Sequence, residues 1–257
     1  MSSLPYASPR EPQWKLALLL GGASALATLA LLPYLVANLP PPPTSSQLPA
    51  WVIMLGPVVE TGVLSWLLAW AGLHLGARHA LGAPWLRAWV YGTPAPAARS
   101  RWLLALALGA LVGCLVIGIE AMGGRAPSSA IDGASQAWRG MLAIFYGGIV
   151  EETLCRLFLV SALVWLLARI KGGAARPWMF VTAIMLAALL FGAGHLPAGF
   201  AMGMTPSPLA IARIILLNAL VGILCGGLYW RLGLEHAMLA HVSADIVIHG
   251  ISPLLLS

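Results

Sequence analysis

Seven stretches of this chain stay apolar for about 20 residues or more, the length an α-helix needs to cross the hydrocarbon core of a bilayer. They run roughly over Trp14–Leu39, Ala50–Leu75, Arg101–Met122, Trp138–Ile170, Pro177–Leu196, Pro208–Leu232 and Leu234–Leu255. Lipid offers the backbone no hydrogen-bond partner, so such runs must be helical. Charged residues make up only 9% of the chain and mean hydropathy is +0.89, against roughly a quarter charged in an ordinary soluble domain. A soluble chain this apolar could not cover its surface with polar groups. The expectation is an all-α, polytopic transmembrane helix bundle of seven to eight spans, one integral membrane domain over residues 1–257.

The breaks between spans carry loop chemistry. Pro40 to Pro43 form a proline run, Gly82–Ser100 mixes Gly and Pro with Trp85, Trp89 and Tyr91, and Gly123–Ser135 and Lys171–Arg176 are rich in small, polar or charged residues. The short Ala83–Tyr91 segment reads as an interfacial or re-entrant helix, which leaves the eighth span open. The fourth stretch would be about 50 Å long at 1.5 Å per residue, more than a bilayer core of about 30 Å. It must tilt, kink near Gly147-Gly148, or begin as an interfacial helix. The first apolar run is too long for a signal-peptide core and reads as a retained anchor. No internal repeat is evident.

Charge sets the orientation. With seven spans, Arg10, Lys15, Arg78, Arg87, Arg99, Arg101, Arg169, Lys171, Arg176 and Arg231 fall on one side. The other side has mainly Arg125 and Arg139, with Arg213 just inside a span. The positive-inside rule then predicts a cytoplasmic N-terminus in a multi-pass protein of the cell's inner or plasma membrane. The net charge of +6 comes without a basic run, which points away from nucleic acid. Cys114, Cys155 and Cys225 lie in apolar runs without metal or disulfide spacing and read as packing residues.

Ionisable groups inside a span cost several kcal/mol unless paired or hydrated, so each is a functional candidate. The set here is Glu60, Glu151, Glu152, Arg156, His195, His241, Asp245 and His249. Glu152 and Arg156, at i and i+4, share a helix face and can pair. Glu151 points about 100° away and escapes that cation, which makes it the candidate general base. His195 ends the run Phe191-Gly192-Ala193-Gly194-His195, where small neighbours leave room for a helix or a substrate. His241 and Asp245 repeat the i, i+4 spacing, and His249 continues their face. A carboxylate so placed fixes an imidazole tautomer, or joins it around a metal. Each element alone is equally explained as a structural polar contact. Glu60 has no local partner and is expected to be structural or to meet Arg156. Glu120 is close enough to a span end to snorkel.

Helix rise groups these residues. Glu151, counted back from Ile170, and His195, counted forward from Pro177, both lie about 27 Å from the turn between their helices. His241, counted from Gly233, lies only about 12 Å deep. A kink, an unequal loop depth or a re-entrant entry has to reconcile them.

The ordered motifs Glu151-Glu152…Arg156, Phe191…His195 and His241…Asp245 resemble those of the CPBP family, intramembrane proteases of the CAAX-endopeptidase and bacteriocin-processing type. The run from Gly226 to Ile246 is also similar to the family's segment leading into its last motif. The resemblance covers about residues 140–250 and implies a catalytic helical core over 137–250. It implies that Glu151, helped by His195, activates a water, that His241 and residue 245 stabilise the oxyanion, and that Glu152 and Arg156 hold the site together. Asp245 stands where the CAAX-processing branch usually has Asn. As an anion it suits orienting His241 or ligating a metal better than donating to an oxyanion.

The resemblance implies an intramembrane endopeptidase acting near the terminus of a membrane-anchored or lipidated substrate in the bilayer. Glu151, His195 and His241 would be a reasonable zinc set, but the HExxH helix motif is absent, and a glutamate-type mechanism without cofactor is favoured. The competing readings are a non-catalytic binding or immunity protein on the same scaffold, and a transporter or proton relay.

Overall fold

The computed structural model describes residues 12–39, 49–96, 100–122 and 132–256. The proline run at 40–43 and the basic residues Arg10, Arg99 and Arg125 lie outside them. Among the described residues the chain is helical throughout, without strands: α1 (Trp14–Asn38), α2 (Ala50–Ala77), α3 (Pro84–Tyr91), α4 (Trp102–Met122), α5 (Gly133–Ile170), α6 (Pro177–Gly194), α7 (Leu196–Ala201), α8 (Pro208–Leu232) and α9 (Leu234–Leu255). Seven of these are long and apolar enough to span a bilayer, as the hydropathy predicts, and the protein is an integral, multi-pass membrane protein. The candidate eighth span is α3, whose eight residues reach about 12 Å and cannot cross.

The bundle is apolar outward as well as inward. Leu26, Leu103, Leu111, Leu190 and Leu209 are among many large apolar side chains left exposed, as they must be when the solvent is lipid. With no hydrophobic drive between helices, packing relies on small residues that let backbones approach. Gly109 and Gly113 of α4 lie against Ala240 and Ala244 of α9. A methyl group added at Gly109 would run into the Ala240 carbonyl. This tight seam holds the α9 segment that carries His241 and Asp245.

The long α5 begins at Gly133 rather than at Trp138. Asp132 caps it, its Oδ1 accepting from the Ser135 N–H at 2.9 Å, so amphipathic turns precede the apolar run. At the expected glycine pair the helix widens: Tyr146–Glu151 and Thr153–Val160 are π-helical, as is Ile246–Ile251 in α9. Such turns recur at functional sites because the extra residue per turn re-aims the side chains around it. α6 stops at Gly194, two residues sooner than its apolar run. Pro197 lacks the N–H that would continue the α6 ladder and instead takes a first-turn position in α7, and His195 is left at the α6 C-cap.

The depth mismatch of His241 resolves as unequal loop depth. The α8–α9 corner is recessed into the bundle, where Leu234, Glu235 and His236 are buried. Ser161, well short of the α5 terminus at Ile170, bonds the Tyr229 hydroxyl at 2.8 Å, so α8 ends below the end of α5. The chain before and within α3 roofs the corner: Leu234 N donates to Gly82 O at 3.0 Å, and Glu235 Oε1 accepts from Leu86 N at 2.7 Å. His236 Nε2 accepts from Arg101 N at 3.2 Å, and its ring stacks on Trp102, centroids 4.1 Å apart. The first turn of α9 is thereby tied to the N-terminal ends of both α3 and α4.

Candidate active site

Glu152 is the buried centre of the polar cluster. Its Oε1 lies 3.0 Å from Arg156 Nη1 and accepts from His241 Nδ1 at 2.7 Å. Glu152 and Arg156 are almost wholly inaccessible, at 0% and 2%. An unpaired charge there would be very costly, so the pair is obligatory once either residue is present. The guanidinium also sits over the Phe191 ring, 4.8 Å from its centroid. Of the two readings of Glu60, structural or meeting Arg156, the pairing with Arg156 does not form. Glu60 is exposed on α2, and the closer carboxylate at i−4 takes the cation.

Glu151, one residue earlier, faces the opposite way and keeps 20% of its side chain accessible. Its two oxygens meet two different imidazoles: Oε1 lies 3.6 Å from His195 Nε2 and Oε2 lies 3.5 Å from His241 Nε2. Both separations are too long for good direct hydrogen bonds. The other nitrogen of each ring is committed elsewhere. His195 Nδ1 donates to the Phe191 carbonyl at 2.9 Å, and His241 Nδ1 donates to Glu152. In their neutral forms both rings therefore turn an Nε2 lone pair toward the Glu151 carboxylate. Three acceptors converging on one place call for a proton, a water or a cation between them.

Asp245 Oδ2 lies 3.8 Å from His241 Nε2, on the cavity side. The carboxylate that bonds the ring directly, and so fixes its tautomer, is Glu152. Gly147, on the widened turn of α5, is the floor under this pair: a methyl group there would collide with Asp245 Oδ2 and sit 3.1 Å from His241 Nε2. Phe191 joins the two imidazoles, edge-on to His195 at 4.7 Å and to His241 at 5.8 Å between centroids. All six predicted residues, Glu151, Glu152, Arg156, His195, His241 and Asp245, thus belong to one connected cluster.

The cluster closes the inner end of a cavity of about 580 Å³, onto which Glu151, His195, His241 and Asp245 open. Tyr34, Tyr146, Asn218 and His249 also line it. His249 is half-buried and meets Tyr34 edge-on at 5.9 Å. Arg213 reaches the Glu120 carbonyl at 2.7 Å across the cavity wall. Glu120 therefore lines the cavity as well as lying near a span end. Tyr34, Tyr146 and Asn218 carry no sequence signal of their own, and Gly147 is marked in the sequence only as a kink position, because only the folding of α1, α5, α8 and α9 around one space brings them together. A separate cleft of about 690 Å³ between α1, α2 and α5 is walled by Leu29, Pro33, Met54 and Trp138 among others and is lined by none of the six cluster residues.

Two donor sets suggest a metal. Glu152, Cys225 and His241 have ligand atoms within 4.8 Å of one another, but all three are buried and Arg156 already neutralises Glu152, so this set does not fit a cation. Glu151 with the Nε2 atoms of His195 and His241 suits a cation by ligand type and is not already neutralised by an arginine. A carboxylate and two imidazoles are common zinc ligands, and each ring's Nδ1 is anchored to a carboxylate or a carbonyl, as in many zinc sites.

Residues 133–247 match the model of a known protein family, described as type II CAAX prenyl endopeptidase, Rce1-like. The matched segment runs from the start of α5 to just beyond Asp245 and contains all six cluster residues. That segment, somewhat under half of the chain, is similar to the Rce1-like endopeptidase family. No curated protein and no solved structure gives a significant match to the chain. The match supports, in general terms, a CAAX-type intramembrane protease. Helices α1 to α4 lie outside the Rce1-like segment, yet α1 and α4 supply Tyr34 and Glu120 to the cavity wall.

Proposed function

We propose that the protein is a glutamate-type intramembrane endopeptidase that hydrolyses a peptide bond near the terminus of a membrane-anchored or lipidated substrate. The observation that carries this reading is the meeting of the two Glu151 oxygens with His195 Nε2 and His241 Nε2 at the inner end of an open cavity. A water bound there is held by acceptors on two sides, the arrangement general-base activation requires.

In this mechanism Glu151 takes a proton from the water as its oxygen attacks the scissile carbonyl carbon. His195 Nε2 accepts the second water hydrogen and sets the direction of attack. The carbonyl becomes a tetrahedral oxyanion, which His241, when protonated, faces with its Nε2–H as the stabilising donor. Glu151 then returns its proton to the departing amide nitrogen as the C–N bond breaks, leaving a carboxylic acid and an amine. Glu152 holds His241, Arg156 balances Glu152, and Asp245 borders His241 Nε2 on the cavity side. Were zinc bound, Glu151, His195 and His241 would hold it, and it would supply a more acidic water.

The test is cleavage of a membrane-anchored peptide reporter in proteoliposomes. Glu151→Gln and His195→Ala are expected to remove cleavage while leaving folding intact, since Glu151 is partly exposed and neutralises no buried cation. Undiminished cleavage by a properly folded Glu151→Gln protein overturns the mechanism. Coupled flux of ions or solutes without proteolysis in the same vesicles would favour the transport reading instead.

A further inference from the structure

The cavity and most of the basic residues occupy opposite ends of the bundle, with Arg139 and Arg213 the exceptions at the cavity end. Among the described residues, Lys15, Arg78, Arg101, Lys171, Arg176 and Arg231 mark one end, at the start of α1, the α2–α4 connection, the α5–α6 turn and the end of α8. The cavity wall is drawn from the other end. It takes Leu31 and Leu35 from the last turns of α1, Glu120 from the last turn of α4, Met202 and Met204 from the segment after α7, and Arg213 from the start of α8. Between Glu151 and the basic end the bundle is packed shut, with Arg156, Leu157, Val160, Tyr229, Leu234 and Ala237 all buried. The site thus has an open end and a sealed end, and the sealed end is the basic one.

Basic residues near span ends are retained on the cytoplasmic side. We infer that the cavity opens away from the cytoplasm, and that the substrate is a membrane-anchored polypeptide whose scissile bond lies at the outer end of its membrane segment. The chemistry of the rim fits such a segment. Leu31, Leu35, Met202 and Met204 offer an apolar wall to residues leaving the bilayer, while Arg213 and Glu120 stand ready for polar backbone beyond it. A lipidated tail lying in the cytoplasmic leaflet would meet the sealed, basic face. The substrate half of this inference rests on the peptidase reading; the orientation half does not.

Two exposed loop positions test the orientation without reference to activity. Thr205 lies at the open end and Lys171 at the sealed end, and Cys114, Cys155 and Cys225 all lie within spans, so the wild-type chain serves as the labelling control. Thr205→Cys should react with a membrane-impermeant maleimide in intact cells, and Lys171→Cys only after permeabilisation. Pro206→Cys and Ala174→Cys repeat the comparison if a first variant is not recovered. The reverse pattern overturns the inference. For the substrate, a single-span reporter carrying the same apolar cleavage segment at either its outer or its inner end is expressed with the enzyme. Release from the outer-segment reporter alone is expected, and release from the inner one alone overturns the assignment. Cleavage of neither, with Thr205→Cys labelled from outside, would remove the peptidase reading and leave the orientation standing.

Discussion

His241 Nδ1 donates to Glu152 Oε1 across 2.7 Å, and the same carboxylate oxygen lies 3.0 Å from Arg156 Nη1. One buried oxygen therefore both holds the histidine ring by its Nδ1–H and balances the Arg156 guanidinium. Removing it leaves Arg156 uncompensated. Glu152→Leu should destabilise the protein by about 3–5 kcal/mol, the usual cost of orphaning a buried ion. Adding Arg156→Met should recover much of that stability, because an apolar pair replaces a desolvated ionic one. Thermal unfolding of the purified proteins in detergent checks this. If the two losses simply add, the pair is not coupled as the distances indicate. The double variant should remain inactive, since His241 has lost its orienting partner.

Gly147 lies beneath Asp245 and His241 with no room for a side chain. Gly147→Ala is expected to cost about 1–3 kcal/mol, the range for overpacking a close-packed interior, and to reduce peptide cleavage severely by displacing the His241 ring. Asp245→Ala in the same chain removes the atom that the new methyl strikes. Measured as a double-mutant cycle, the pair should show a coupling of more than about 0.5 kcal/mol. Independent effects would place the origin of the glycine requirement elsewhere, in the widened turn itself.

The predictions above separate what can be read along the chain from what cannot. The seven spans were legible because lipid allows an apolar run one structure. The Glu152–Arg156 pair was legible because both ends lie within one turn of one helix, and the grouping of Glu151 with His195 because two antiparallel helices share a hairpin. Three things were not legible. The π turns around Glu151 leave no mark on hydropathy, which is indifferent to whether a carbonyl bonds four or five residues on. The bond between Glu152 and His241 joins helices far apart in sequence, so the i, i+4 spacing of Asp245 made it the nearer candidate. The recessed corner at Gly233 depends on Glu235 and His236, which look like ordinary loop-side polar residues until α3 folds over them.

That corner carries its own expected outcome. Glu235 accepts from the Leu86 N–H as a distant substitute for a capping side chain. Glu235→Ala should therefore cost about 0.5–2 kcal/mol, as the loss of an N-terminal cap does. His236→Phe keeps the stack on Trp102 and loses only the acceptor for Arg101 N, so it should be more stable than His236→Ala. Both losses are read by unfolding. Because the corner sets the entry angle of α9, cleavage should fall with stability even though neither residue touches the cavity. An inactive Glu235→Ala protein with wild-type stability would mean that Glu235 acts by some route other than anchoring α9.

The last prediction separates water activation by carboxylate from activation by a metal. Glu151, His195 and His241 are a carboxylate and two imidazoles, ligand types that zinc takes, so occupancy must be measured along with rate. In the glutamate mechanism, cleavage in proteoliposomes should survive exhaustive chelation and removal of the chelator. Elemental analysis of the active protein should then give far less than one zinc per chain. Added zinc should inhibit, because it would occupy Glu151 and the His195 Nε2 lone pair that otherwise hold the water, and would displace the His241 Nε2–H that faces the oxyanion. A protein that loses activity on chelation, regains it in step with bound zinc, and loses binding in Glu151→Gln would instead be a metallopeptidase using the same three side chains as ligands.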